Sequence, residues 1–530
     1  MNIKHPTEYL IILLFTTIAG YFCISNLAIT IGGDAFGLVA ELAARESSSV
    51  NIPNPIYNSL HTLLSAVTAN PSYYINILFL LLILFPFLLV YFFIRQITSE
   101  NNNTILVSVI GALIISSSAF NLLHFFAGHY AFNLLPVLCW LLAFFYWNNR
   151  YSIIWIGLAY GVNVVYNPYF GYFGIFIYLF SIAFFSIYAK SQFKSFVLKL
   201  FFSWIISAVI IIVSIYPALA FIIDAHNQPV GTVFNRPFDS VWGVLPWMYL
   251  LPSPQHWLAS DWYIDFYRTA MIGSNVPENA VYLGLFNLIF FPYSFYLFWK
   301  QRLSATTTFW YRYALGAAIL CFLLSLPPFI PLPNGEKFYW LSGYLHSWFP
   351  MFRIYSRFAL FVLFFVTLGG MIGFYYFLNK YSPNKAKIIA IITLVLVLVD
   401  LTPQLPTLDL SKYPPVYEWL SKQPGNFMVY EIPEKKGKDD FQFYKFLYYQ
   451  TIHGKKLANR KIDILLKENQ VKYVIQHENL YQEGPIPTEY KNYVTKAVAE
   501  EKFNHGQVEK LPEWLVPVIK VGDAWVYQVK

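Results

Sequence analysis

The sequence predicts a polytopic α-helical membrane protein of about eleven transmembrane helices, with a small C-terminal extracytoplasmic α/β domain. Three observations lead there. The 530 residues are 57% hydrophobic and 20% aromatic but only 12% charged, and mean hydropathy is +0.48. Apolar runs long enough to cross a bilayer recur through residues 1–403. Near residue 404 the composition changes, and 34 of the 64 charged residues fall in 404–530. This excludes an ordinary soluble protein. The net charge of +8 invites a nucleic-acid partner, but the placement of the charges points to membrane orientation and to no nucleic acid.

The runs, in order, are approximately 9–31, 73–94, 104–123, 131–147, 152–167, 170–189, 201–223, 281–299, 310–329, 358–379 and 388–403. The first has Lys4 and His5 before it and no small-residue cleavage site after it, so it is expected to stay as a span. With the N-terminus cytoplasmic, cytoplasmic ends hold 12 basic residues against Glu8 and Glu100, and the opposite side holds six basic residues against nine acids. That bias follows the positive-inside rule and sends residues 404–530 outside the cell membrane. Almost no charge lies mid-span, with Asp400 close to the end of the last run. An ion-coupled transporter would carry charge on its path. Cys23, Cys139 and Cys321 each sit in an apolar run, without metal-ligand or disulfide spacing.

Two outer loops are long. Loop 32–72 opens with GGDAFG at 32–37, continues into an amphipathic helix near 36–46, and breaks at NIPNP before a short apolar helix at 56–69. Loop 224–280 is rich in Trp, Tyr and Pro, suited to the headgroup layer or to stacking on sugar rings. After residue 404, FMVYEIP, KYVIQH, LVPVIKV and AWVYQV have strand character, and Gly522-Asp523 marks a hairpin between the last two. Residues 440–450 and 462–469 have helical periodicity.

Four constellations can carry chemistry. Asp34 follows the first run, with Glu41 about two turns on; it is either a helix cap or a half-desolvated general base at the bilayer surface. His124 and His129, in LLHFFAGHY, either position a phosphate or hydroxyl or make ordinary interfacial hydrogen bonds. Arg353 and Arg357, in MFRIYSRFALF, are four apart and share a face if helical; they either hold a lipid-linked phosphate or snorkel at the helix end. Asp261, Asp265, Arg268 and Glu278 lie in the long loop, and Asp261 with Asp265 and Asp34 could hold a divalent ion such as Mg2+ or Mn2+, although no DxD motif is present. No other cofactor is indicated. Zinc, P-loop, nucleophile-elbow and dinucleotide motifs are absent from the sequence.

Taken together, GGDAFG (32–37), AGHYAFNLLP (127–136), NPYFGYFG (167–174), ENAVYLG (278–284), FRIYSRFA (352–359) and the tail stretches FMVYEIP, YYQTIHGKK and VKYVIQH resemble the GT-C-fold glycosyltransferases. More narrowly, they are similar to the YfhO-like bacterial membrane proteins. The resemblance implies a GT-C-like module over 1–403 and a soluble domain over 404–530. It implies transfer of a sugar, with inversion, from a polyprenyl-phosphate-linked donor to a glycan, lipid or protein acceptor of the cell envelope. Asp34 would be the base. Arg353 and Arg357, with Arg268, would hold the donor phosphate, supported by His124, His129, Glu278 and Glu41. Where many such enzymes carry a second acidic motif, this chain has His124 and His129. The readings left beside it are a lipid-linked saccharide flippase or export protein, and a non-catalytic scaffold for envelope assembly. Asp34, His129, Arg268, Glu278 and Arg353 are expected to converge.

Overall fold

The computed structural model of the chain describes residues 29–31, 102–121, parts of 153–164, 168–188, 190–215, 241–271, 276–331, 336–401, 407–409, 413–432, 449, 453–457, 471–477, 515–522 and 524–529. These residues fall into two compact units, residues 102–401 and residues 29–31 with 407–529.

The first unit is helical. Its helices are α1 (Asn102–Ser117), α2 (Pro168–Tyr188), α3 (Lys190–Ile215), α4 (Asp261–Ala270), α5 (Leu285–Trp299), α6 (Ala305–Ser325), α7 (Leu341–Trp348), α8 (Ala359–Leu378) and α9 (Pro383–Leu401). Among the described residues, four stretches are long and apolar enough to cross a membrane: Gly171–Tyr188, Phe193–Ile212, Ala305–Ser325 and Tyr355–Leu378. Helix α5 and the Ile105–Ile115 part of α1 are apolar but shorter. The expected runs 73–94 and 131–147 lie outside the described residues, as do most of 9–31 and much of 152–167.

Helix ends follow local chemistry. Helix α6 starts at Ser304, whose Oγ accepts a hydrogen bond from the Thr307 amide at 3.2 Å. It stops at Ser325 rather than 329, because Leu326 precedes Pro327 and takes the extended conformation that a following proline favours. Helix α3 begins at Lys190, eleven residues before the expected start, since its lysines are good helix formers.

Helix α8 is the central pillar. It is apolar on every side and is buried along nearly its whole length, as such a helix must be. Helices α5 and α6 flank it. Gly373 lets α5 come close, since a Cβ there would collide with the Phe290 carbonyl oxygen. Polar pins cross these interfaces. The Asn287 side-chain amide donates to Thr367 Oγ1 at 3.0 Å, and the Ser181 and Tyr313 hydroxyls meet at 2.7 Å. Asp400, at the end of α9, caps α5: its Oδ2 accepts from the Leu285 amide at 2.6 Å and its Oδ1 from the Tyr282 hydroxyl at 3.1 Å.

The second unit holds a five-stranded mixed sheet of β1 (Met428–Ile432), β2 (Lys456–Leu457), β3 (Val471–His477), β4 (Leu515–Val521) and β5 (Ala524–Val529), in the order β2-β1-β3-β5-β4. β1 runs parallel to β2 and β3, while β5 is antiparallel to β3 and β4. Gly522, with φ of +61°, turns β4 into β5, at the expected hairpin. Strand alternation sorts the two faces. Val429, Tyr473, Ile475 and Val526 pack with Val416, Tyr417 and Leu420 of α10 (Val416–Ser421), while Val474 and Tyr527 pack on the other face. The helices expected at 36–46, 56–69 and 462–469, and almost all of 440–450, lie outside the described residues.

One boundary changes. Ile29–Ile31 is a strand, paired antiparallel with Thr407–Asp409, so the first apolar run does not continue as helix to residue 31. The β-branched ITI suits an extended chain better than a helix end.

Candidate functional site at the start of helix α8

In the first unit, three of the stretches singled out in the sequence meet. ENAVYLG supplies Glu278, from the single helical turn Val276–Asn279. FRIYSRFA supplies Arg353, Ser356 and Arg357, and NPYFGYFG supplies Tyr169 and Tyr172.

Glu278 is 0% exposed and Arg357 4% exposed. Glu278 Oε1 accepts from Arg357 Nε at 2.9 Å and from Nη2 at 2.5 Å. Its Oε2 accepts from the Ser356 hydroxyl at 3.2 Å. The Arg357 guanidinium also lies 4.9 Å from the centre of the Tyr169 ring. Both carboxylate oxygens thus have donors, which a buried charge requires. The 3-10 turn Tyr355–Phe358 makes this arrangement possible by placing Ser356 and Arg357 on successive positions toward Glu278.

Arg353 sits differently. The chain at 353–356 runs beside Trp242 as a parallel bridge: the Trp242 amide donates to the Arg353 carbonyl at 2.7 Å and the Tyr355 amide to the Trp242 carbonyl at 2.9 Å. The half-buried Arg353 guanidinium lies 5.0 Å from the centre of the Trp242 ring. Gly243 is needed here, because a Cβ would run into the Pro327 backbone. Tyr169 holds the turn from the other side, donating to the Met351 carbonyl at 3.3 Å and accepting from the Arg353 amide at 3.4 Å. Tyr172 stacks on Phe352 at 4.2 Å. Buried His346 of α7 donates from Nδ1 to the Phe352 carbonyl at 2.9 Å.

The expectation that Arg353 and Arg357 share one helix face is corrected. Helix α8 begins only at Ala359, because the backbone at 353–356 is engaged with Trp242. The two guanidiniums have separate partners, Glu278 for Arg357 and the Trp242 ring for Arg353. Glu278, expected as a supporting residue, is joined to this same segment.

Asp261 and Asp265 are exposed on α4, a helix capped by Ser260 and anchored by buried Tyr267, whose hydroxyl donates to the Asn279 carbonyl at 2.5 Å. Burial pushes that hydroxyl well above its ordinary pKa, so it stays a donor. Arg268 belongs to the same helix. Among the described residues no three His, Cys, Asp or Glu side chains gather as a metal site. Asp34, Glu41, His124 and His129, and the side chain of Arg268, lie outside the described residues. Tyr169, Ser356 and Trp242 were not singled out individually, although each belongs to a stretch or loop that was. Their signal was adjacency: a hydroxyl beside an arginine, and aromatic rings able to flank a guanidinium.

Comparison of the chain with protein-family models gives no match, and comparison with curated proteins gives none either.

Proposed function

We propose that the chain is a membrane glycosyltransferase of the GT-C type, moving a sugar from a polyprenyl-phosphate donor to an envelope acceptor on the outer face. In this reading about eleven spans place the N-terminus in the cytoplasm and residues 404–530 outside. The acceptor hydroxyl oxygen attacks the anomeric carbon. The bond from that carbon to the phosphate oxygen breaks, its electron pair leaves with the polyprenyl phosphate, and the hydroxyl proton passes to the Asp34 carboxylate. The anomeric configuration inverts.

The observation that carries this reading is the division of labour between the two arginines. Glu278 already neutralises Arg357, so that pair makes a rigid footing at the start of the longest buried span. Arg353 lies over the Trp242 ring beside it, half-buried, its guanidinium 5.0 Å from the ring centre and apart from the Glu278–Arg357 pair. A guanidinium presented in this way suits a phosphate that gains charge as it departs. Arg353 takes the leaving phosphate, and Arg357 is a positioning residue. No nucleotide fold is required, because the donor is lipid-borne.

The test is product analysis in vesicles containing a labelled polyprenyl-phosphate sugar and an envelope acceptor fraction. The reading requires one free polyprenyl phosphate per sugar transferred and an inverted glycosidic linkage. Movement of intact lipid-linked sugar across the bilayer, with no new linkage, would replace it with the flippase reading.

A further inference from the structure

The opposite end of the same helical unit carries a cavity that the proposed reaction does not use. Helix α2 begins at the arginine site, with Tyr169 beside Arg357, and ends at Tyr188. Its 21 residues rise about 30 Å, the thickness of a bilayer's hydrocarbon core. Helix α3 starts at Lys190 and returns along α2, with Trp204 5.9 Å from Tyr178. The start of α3 therefore faces the other side of the membrane from Arg353. The basic residues cluster there. Arg312 lies over the Tyr188 ring at 5.3 Å, and Lys385 and Lys387 are exposed at the start of α9.

At this end a cavity of about 470 Å3 is lined by Ile153, Lys194, Ser195, Leu198, Lys199 and Phe202. Its wall is amphipathic along the helix. Lys194 and Ser195 lie nearest the helix start, Leu198 and Lys199 follow one turn on, and Phe202 comes a turn after those. Beyond them Ile205, Val209 and Ile212 remain exposed along the apolar span. A headgroup phosphate with acyl chains behind it has this same polar-to-apolar profile. The cavity is also framed rigidly. The Ser203 hydroxyl donates to the Ile153 carbonyl at 3.0 Å and the Ser207 hydroxyl to the Gly157 carbonyl at 2.8 Å. A Cβ on Gly157 would lie 2.7 Å from the Ser203 carbonyl oxygen, and one on Gly161 would lie 2.9 Å from Ile210 Cδ1. Glycines facing serines hold the two segments in close contact, and the cavity opens at the charged end of that contact.

The geometry points to a binding site for an anionic phospholipid, its phosphate between Lys194 and Lys199 and its chains along Leu198 and Phe202. Basic pockets between membrane helices on the cytoplasmic side suit such headgroups. The site is independent of the sugar-transfer reading and sits at the other end of the span.

The test uses the purified full chain in mixed micelles, titrated with phosphatidylglycerol or phosphatidylcholine and read by native mass spectrometry and by thermal unfolding. Wild type should retain phosphatidylglycerol preferentially and be stabilised by it. Lys194→Gln/Lys199→Gln should bind it roughly 30-fold more weakly, at about fivefold per lysine, while melting as wild type does in phosphatidylcholine. Lys385→Gln/Lys387→Gln removes the same charge from the same membrane face and should keep the preference. Loss of preference in that control, or its survival in the first variant, overturns the site. Stabilisation by soluble glycerol 3-phosphate as large as by the lipid would overturn the lipid as occupant.

Discussion

Glu278 and Arg357 make the most exposed wager. Glu278 is completely buried and takes three donors, two from Arg357 and one from Ser356. Glu278→Ala would leave the guanidinium buried with its main partner gone. Breaking a buried pair from one side costs about 3–5 kcal/mol. At about 2 °C per kcal/mol for a large domain, the apparent melting temperature should fall by roughly 6–10 °C. Arg357→Met alone should cost a similar amount, since it strands the carboxylate. The double change Glu278→Leu/Arg357→Met removes both charges and fills the space, so it should return to within about 1 kcal/mol of wild type. The assay is intrinsic-fluorescence unfolding in one detergent at one scan rate, for four proteins in a cycle. A loss under 2 °C (about 1 kcal/mol) in Glu278→Ala, or a double variant no better than the singles, would refute the claim that the pair is a structural footing.

Three other outcomes follow from named contacts. Arg353→Ala should leave the melting temperature near wild type but slow sugar transfer by about 10²–10³-fold, with Arg353→Lys partly restoring it because an ammonium keeps the charge but not the forked geometry of the guanidinium over Trp242; initial rates with labelled donor decide it. Asp400→Ala removes the cap on α5 and the Tyr282 contact, and should lower stability by about 1–3 kcal/mol, measured by the same unfolding assay. His453, 3% exposed and stacked 5.5 Å from Tyr417, is pushed down from 6.5 to about 4 by burial, against the opposing pull of Glu431. The folded form therefore prefers neutral histidine: its stability is fully present above pH 6.5 and drains away as pH falls toward about 4, by up to about 3 kcal/mol. Hydrogen exchange of 428–432, corrected for intrinsic rates, should show that loss in wild type and little of it in His453→Gln.

The legible part of this chain was what hydrophobicity and strand alternation write directly. An apolar run such as 359–378 has nowhere to go but a buried or lipid-facing helix, and FMVYEIP, KYVIQH and the Gly522 hairpin carry a period of two with a turn residue between. The ends were less legible, because the stop at Ser325 depends on a proline two residues on, and the strand at 29–31 depends on a partner nearly 380 residues away at 407–409. The site was legible as a list of residues and not as a pairing. Spacing alone put Arg353 and Arg357 on one face. It could not register that Trp242 draws the 353–356 backbone out of the helix, or that a buried Glu278 claims Arg357. The buried Tyr417–Glu431–His477 cluster was equally silent, since Glu431 and His477 sit 46 residues apart on adjacent strands; Glu431 Oε2 accepts from Tyr417 at 2.6 Å and pairs with His477 Nε2 at 2.8 Å.

The reaction proposed for this chain is sugar transfer from a lipid phosphate with Asp34 as base. Its most direct test compares wild type with Asp34→Asn in vesicles, at matched expression and melting temperature, over a panel of labelled polyprenyl-phosphate sugars and envelope acceptors. Wild type should transfer sugar from at least one donor, and Asp34→Asn should lose about 10²–10⁴-fold of that rate. Transfer undiminished by asparagine would remove Asp34 as the base, and absence of transfer across the whole panel would contradict the enzyme itself.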